Sequence, residues 1–129
     1  MNILIIDDSG LTRKMIRSIL LNQFPDATFV PAKNGKEGYE RYVEQTEKDS
    51  RPDLVFIDQL MPEIDGMETM KKILEFDPDA YLVMVTANIQ EPVRKQAIDI
   101  GARAFLNKPL NRDDFERVKQ EWEAGKKEK

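Results

Sequence analysis

The stretch Leu54-Val55-Phe56-Ile57-Asp58-Gln59-Leu60-Met61-Pro62 decides the fold. Apolar residues follow one another without alternation, run into an aspartate, and stop shortly afterwards at a proline. A strand with one face in water alternates apolar and polar side chains, whereas an unbroken run suits a strand covered on both faces, as in a parallel sheet. Ile3-Leu4-Ile5-Ile6, Thr28-Phe29-Val30, Tyr81-Leu82-Val83-Met84-Val85 and Ala104-Phe105-Leu106 read the same way. Between these runs the spacing is helical. Leu11, Met15 and Ile19 share a face, as do Met67, Met70 and Leu74, then Val93, Ala97 and Ile100, then Phe115, Val118 and Trp122. Each stripe is expected to face the core.

Start and stop signals agree. Asn34-x-x-Glu37 and Asp65-x-x-Glu68 resemble capping boxes, Pro92 suits a first turn, Asn111 suits an N-cap, and Gly101 suits a left-handed helix end. The result is five strands alternating with five helices, an α/β fold of the (βα)5 doubly wound type with a parallel five-stranded sheet. A length of 129 residues predicts one domain, residues 1–124, with Lys48–Pro52 as a loop and 125–129 as a frayed C-terminal tail.

Composition removes several functions. With 24 acidic and 20 basic residues the net charge is −4, which disfavours nucleic-acid binding. Cysteine and histidine are both absent, with 0 of each, so thiolate metal sites, catalytic triads and phosphohistidine are excluded. No apolar run approaches the ~20 residues that span a bilayer, and no basic segment precedes an apolar one as in a signal peptide. A cytoplasmic protein without membrane insertion is expected.

The chemistry sits where polar residues interrupt the strands. Asp7 and Asp8 end the first, Asp58 the third and Thr86 the fourth, and Lys108 follows the fifth. Any one of these aspartates alone reads best as a turn or cap residue. In open α/β sheets, ligands bind beyond the carboxyl ends of the strands, where the strand order reverses. An order of 2-1-3-4-5 would bring Asp7, Asp8 and Asp58 together. Carboxylates that crowd must either take up protons or bind a cation, and hard oxygen donors suit Mg²⁺, Mn²⁺ or Ca²⁺. Lys108 offers a point charge for a phosphoryl oxygen, and Thr86 a hydroxyl. A carboxylate nucleophile, a metal site, a cation and a hydroxyl together point to phosphoryl transfer onto an aspartate.

Ile5-Ile6-Asp7-Asp8-Ser9, Leu54 to Pro62 with Asp65-Gly66, Val85-Thr86-Ala87 and Lys108-Pro109, with Asn34-Gly35 after the second strand, resemble the receiver domain of two-component response regulators, in the layout of the chemotaxis regulators that consist of that domain alone. The resemblance implies the flavodoxin-like strand order 2-1-3-4-5. It makes Asp58 the phospho-acceptor, with Mg²⁺ (or Mn²⁺) held by Asp7, Asp8, Asp58 and the Gln59 backbone carbonyl. It gives Lys108 contact with the phosphoryl group, makes Thr86 and Phe105 the switch pair, and makes the Lys108-Pro109 peptide cis. The implied phosphoryl donor is a histidine kinase. The implied output is binding of a downstream protein by the surface of helix 4, strand 5 and helix 5, including Ile89, Arg94, Phe105 and Asn107, in chemotaxis or motility and from a monomer. The chain departs from the family pattern in a longer Gly35–Asp58 segment, in Phe where many chemotaxis members carry Tyr at 105, and in the apolar Leu60.

Leu60 and Asn88 flank the expected path of a hydrolytic water in the family's layout. Leu60 offers no hydrogen bond and Asn88 no charge, so a long-lived phosphate is expected, reset by a separate phosphatase. Three other readings compete. A haloacid-dehalogenase-type phosphatase needs an acid where Leu60 stands. A flavin-binding flavodoxin needs a hydroxyl-rich phosphate loop where Asp7-Asp8 stands. A degenerate receiver that only binds proteins would lack a reason for Asp8, Asp58, Thr86 and Lys108.

Overall fold

In the computed structural model, which describes residues 1–87 and 90–127, strand and helix alternate from end to end. The order is β1 (Asn2–Ile6), α1 (Gly10–Gln23), β2 (Thr28–Ala32), α2 (Gly35–Glu47), β3 (Leu54–Ile57), α3 (Gly66–Phe76), β4 (Leu82–Thr86), α4 (Glu91–Ile100), β5 (Ala104–Asn107) and α5 (Arg112–Lys127). Two positions singled out in the sequence, Asn88 and Ile89, lie outside the described residues. All strand pairs are parallel, and the sheet order is β2-β1-β3-β4-β5, as the resemblance implied.

The unbroken apolar runs have the predicted meaning. Along β1 and β3, successive side chains enter opposite layers. Leu4, Ile6, Val55 and Ile57 join Tyr42 of α2, Met70 and Ile73 of α3 and Ala97 of α4 on one face. Ile3, Ile5, Leu54 and Phe56 join Ile16 and Leu20 of α1 and Phe115 and Val118 of α5 on the other.

The predicted caps form. Asn34 Oδ1 accepts from the Glu37 N–H at 2.8 Å, and Asp65 Oδ1 from that of Glu68 at 2.9 Å. Asn111 Oδ1 accepts from the Asp113 N–H at 2.8 Å at the start of α5. Gly101 closes α4 with φ of 138°, a backbone region that costs glycine nothing. The segment between Asn34 and Asp58 is long because α2 runs to Glu47, and its far end is clamped. The buried Tyr42 hydroxyl donates to Asp77 Oδ2 at 2.7 Å, and Arg51 Nε donates to the same oxygen at 2.6 Å.

One expectation needs correction. Leu11 and Met15 do not face the core: they are 70 % and 47 % exposed, while Ile16 and Leu20 are 1 % exposed each. Both pairs have the spacing of one helical face, so periodicity does not choose between them. The rotation of α1 is set at its first turn, where Ser9 Oγ accepts from the Thr12 N–H and the Arg13 guanidinium donates to the Asp7 carbonyl. At the C-terminus α5 continues to Lys127, past residue 125 where the tail was expected to begin, and residues 128–129 lie outside the described residues. Its last turns are built from Glu, Ala and Lys, strong helix formers that carry the helix past a single Gly125.

Gly38 of α2 lies directly on β1. A Cβ placed there would come 2.4 Å from Ile6 Cδ1 and 2.8 Å from Ile6 Cγ1. Ile6 is fully buried and β-branched, so it has no free rotamer into which to retreat. Gly38→Ala is therefore expected to destabilise the fold by about 1–3 kcal/mol, less the ~1 kcal/mol that alanine gains in a helix. Urea denaturation checks this, and Ile6→Val in the same chain should restore part of the loss.

Candidate functional site

The pairing of β3 on β1, and of β1 on β2, continues one residue past the strands and seats two acids side by side. The Asp58 N–H donates to the Ile6 carbonyl at 3.0 Å, and the Asp7 N–H donates to the Ala32 carbonyl at 3.1 Å. Asp7 is 1 % exposed, Asp58 is 6 % exposed, and the adjacent Asp8 faces solvent. One carboxylate oxygen from each of Asp7, Asp8 and Asp58 lies within 4.8 Å of the others.

Lys108 enters from the far side. Its backbone N–H donates to the Thr86 carbonyl at 2.8 Å, and its cis peptide to Pro109 has the expected isomer. Its ammonium nitrogen donates to Asp7 Oδ2 at 3.1 Å and lies 3.6 Å from Asp58 Oδ1. Thr86 is fully buried at the end of β4. On β5, Phe105 is paired with Met84 and Asn107 with Thr86, so the side chains of Thr86 and Phe105 leave the same face of the sheet. Phe105 is half-buried against the layer that includes Ala97 of α4. Arg94 and Asn107, expected on an output surface, are both exposed.

Loops hold these groups from behind, through hydrogen bonds that the sequence does not show. Asp7 Oδ1 accepts from the Ser9 N–H at 2.9 Å, which leaves Oδ2 for Lys108. Gln59 Oε1 accepts from the Met67 N–H at 2.9 Å and Gln59 Nε2 donates to Asp65 Oδ2 at 3.3 Å, tying the loop after Asp58 to the start of α3. The Gln59 carbonyl accepts from the Gly66 N–H at 3.0 Å, which occupies one of its two lone-pair directions. Gly66 is required by close approach: a Cβ there would sit 2.4 Å from the Asp58 carbonyl oxygen. Leu60 is 60 % exposed, and its backbone N–H bonds the Asp58 carboxylate.

Three carboxylates and one ammonium leave a formal −3 + 1 = −2 in the cluster. Burial raises the Asp58 pKa to about 6, with Asp7 and Asp8 adding to the rise and Lys108 opposing it. Ionising Asp58 therefore costs the folded chain stability. Below its ordinary value of 3.8 the group is protonated folded or unfolded. Between 3.8 and about 6 only the folded chain keeps the proton, so stability falls as pH rises, and above about 6 the cost is complete. Asp58→Asn is expected to stabilise the metal-free protein at pH 7 by roughly 1–3 kcal/mol, with the gain gone near pH 4. Denaturant titrations with EDTA at the two pH values check this, and equal midpoints at pH 7 would contradict it.

The donor set fits a small hard dication. All ligand atoms are oxygen, the cluster's formal charge matches the ion's, and a 4.8 Å span is close to the ~4.2 Å between opposite oxygens of an octahedral Mg²⁺.

Comparison with known proteins agrees with this geometry. The response regulator receiver domain, as a family model, matches residues 3–119. Chemotaxis protein CheY of Halobacterium salinarum is 38 % identical over 110 residues, covering 85 % of this chain and 86 % of that protein. CheY of Bacillus subtilis is 37 % identical over 111 residues, covering 86 % and 88 %. Among solved structures, a CheX-CheY-BeF3-Mg²⁺ complex from Borrelia burgdorferi superposes with a TM-score of 0.83 at 31 % identity, covering 91 % of this chain and 84 % of that one. The acidic cluster, the sheet order and the length of the match converge: the chain belongs to the response regulator receiver domain family and is of the CheY type.

Proposed function

We propose that the chain is a phospho-acceptor switch in which Asp58 takes a phosphoryl group from a histidine kinase and the change is read by a partner protein. One observation carries this reading: the buried Asp58 lies within 3.6 Å of the Lys108 ammonium and within 4.8 Å of the Asp7 and Asp8 carboxylates. A carboxylate oxygen of Asp58 forms the new P–O bond while the P–N bond to the donor's imidazole breaks, and that imidazole takes up a proton from solvent. Asp7, Asp8, Asp58 and the free lone pair of the Gln59 carbonyl would hold Mg²⁺, which when bound offsets the charge of the incoming phosphoryl oxygens. Lys108 shifts its donors from Asp7 to a phosphoryl oxygen, and Arg13 and Ser9 keep Asp7 in place while it does so.

The switch is the buried Thr86 hydroxyl with Phe105 on the same face of the sheet. When the hydroxyl turns to the phosphoryl oxygen, the space beside β5 enlarges and the Phe105 ring moves into it, changing the surface of α4, β5 and α5. The chemotaxis relatives support a chemotaxis or motility setting, and the Borrelia complex, which holds CheX with CheY, BeF3 and Mg²⁺, supports a separate protein partner. The apolar, exposed Leu60 supports slow self-dephosphorylation and weighs against a true phosphatase, which needs an acid there. The cellular setting is the cytoplasm, and the working unit is a monomer.

The test is Thr86→Ala. Phosphate incorporation from acetyl phosphate is expected to stay within about threefold of wild type, because the hydroxyl is not the nucleophile. The amide NMR shifts of β5 and α4 that accompany phosphorylation should shrink to less than half. Unchanged shifts in the variant would overturn the switch while leaving the acceptor intact.

A further inference from the structure

We propose that the groove between α1 and β2 docks an acidic peptide segment of a partner protein, held by side chains rather than by strand addition. The groove holds about 350 Å³ and has a basic rim and an apolar floor. Arg13, Lys14 and Arg17 form the rim, and Phe29, Pro31 and Ile5 form the floor.

The first argument is charge. The chain is acidic overall, at −4, yet α1 carries these cations and no Asp or Glu. On α2, α4 and α5 several cations pair with acids of their own helix: Arg41 with Glu37 and Glu44, Lys95 with Asp99, and Arg117 with Asp114. Among the described residues, no carboxylate pairs with Arg13, Lys14 or Arg17. Arg13 spends one donor on the Asp7 carbonyl, and Arg17 lies 5.4 Å over the Phe29 ring, so both guanidinium groups are held at the groove with donors to spare. A partner with carboxylates flanking an apolar side chain matches rim and floor together.

The second argument concerns how the partner is held. β2 is an edge strand, a usual site for strand addition. Its Thr28 N–H donates to the Met1 carbonyl, toward β1. By the two-residue alternation of a strand, positions 29 and 31 then present their backbone to the outside. Position 31 is proline and has no N–H, so the exposed ladder is interrupted in the middle. An occupant is therefore gripped by the cations and the floor.

The experiment titrates the ¹⁵N-labelled full chain with an acetylated, amidated peptide, Glu-Asp-Leu-Phe-Asp-Glu, beside its Gln/Asn counterpart. Amide shifts should move along Gly10–Arg17 and at Phe29, Val30 and Ala32. Binding should weaken at least about tenfold when salt rises from roughly 50 to roughly 300 mM, and likewise in Lys14→Glu/Arg17→Glu. The spectrum of that variant must retain wild-type dispersion, and Lys14→Gln/Arg17→Gln serves if it does not. Equal binding of the neutral peptide, shifts confined to α4, or no shift at millimolar peptide would each overturn the proposal. So would the same shifts produced by inorganic phosphate at equal concentration, or by raising the protein concentration alone.

Discussion

Asp58→Asn is expected to reduce phosphate incorporation from acetyl phosphate and Mg²⁺ by at least about a hundredfold, to background. The amide that replaces the carboxylate has the same shape but no nucleophilic oxygen charge, while Lys108, Thr86 and the supporting hydrogen bonds of Asp7 stay in place. The loss cannot be attributed to unfolding, because relief of the buried charge is expected to make this variant more stable at pH 7 than the parent. Intact mass before and after the reaction measures it. Incorporation at a comparable rate would move the acceptor to Asp7 or Asp8.

Asp8→Ala is expected to have the next largest effect, and by another route. Asp8 is the exposed member of the cluster, so its removal leaves the buried pair and the Lys108 contacts intact. It lowers the formal charge from −2 to −1 and removes one of three carboxylate donors. Altered support of a metal ligand alone costs about 10–100-fold in affinity, and loss of a ligand should cost at least as much. The Mg²⁺ concentration for half-maximal phosphorylation should rise at least about tenfold, with partial recovery at high Mg²⁺ or Mn²⁺. An unchanged Mg²⁺ dependence would remove Asp8 from the metal site.

The parts of the molecule that the sequence shows well are those where one physical demand acts alone. Leu54–Ile57 has no polar residue because both of its faces are covered, so strand type and sheet type follow together. Asp7 and Asp58 stand out for the converse reason, as charges abutting runs that otherwise admit none. Where two demands compete, pattern is insufficient. On α1 the Leu11/Met15 and Ile16/Leu20 pairs are equally periodic, and a hydrogen bond from the Arg13 side chain back to the Asp7 carbonyl accompanies the choice. The run Thr28-Phe29-Val30 stops short of Pro31, yet β2 continues through that proline because its missing N–H faces away from β1. Gly66 is visible as part of a capping signal, but its closeness to the Asp58 carbonyl depends on the fold of the whole loop. Gln59 is similar: its position beside Asp58 is plain in the sequence, whereas the bonds from its side chain to Asp65 and Met67 emerge only in three dimensions.

The central claim is that Asp58 is the residue that becomes phosphorylated, and chemical mapping on the unmodified chain tests it most directly. The protein is phosphorylated with acetyl phosphate and Mg²⁺, the acyl phosphate is reduced with borohydride, and the peptides are sequenced by mass spectrometry. The predicted result is conversion of Asp58 alone to homoserine, abolished when EDTA replaces Mg²⁺. Homoserine at position 7 or 8, or no conversion under conditions in which the protein is folded and metal is present, would contradict the account.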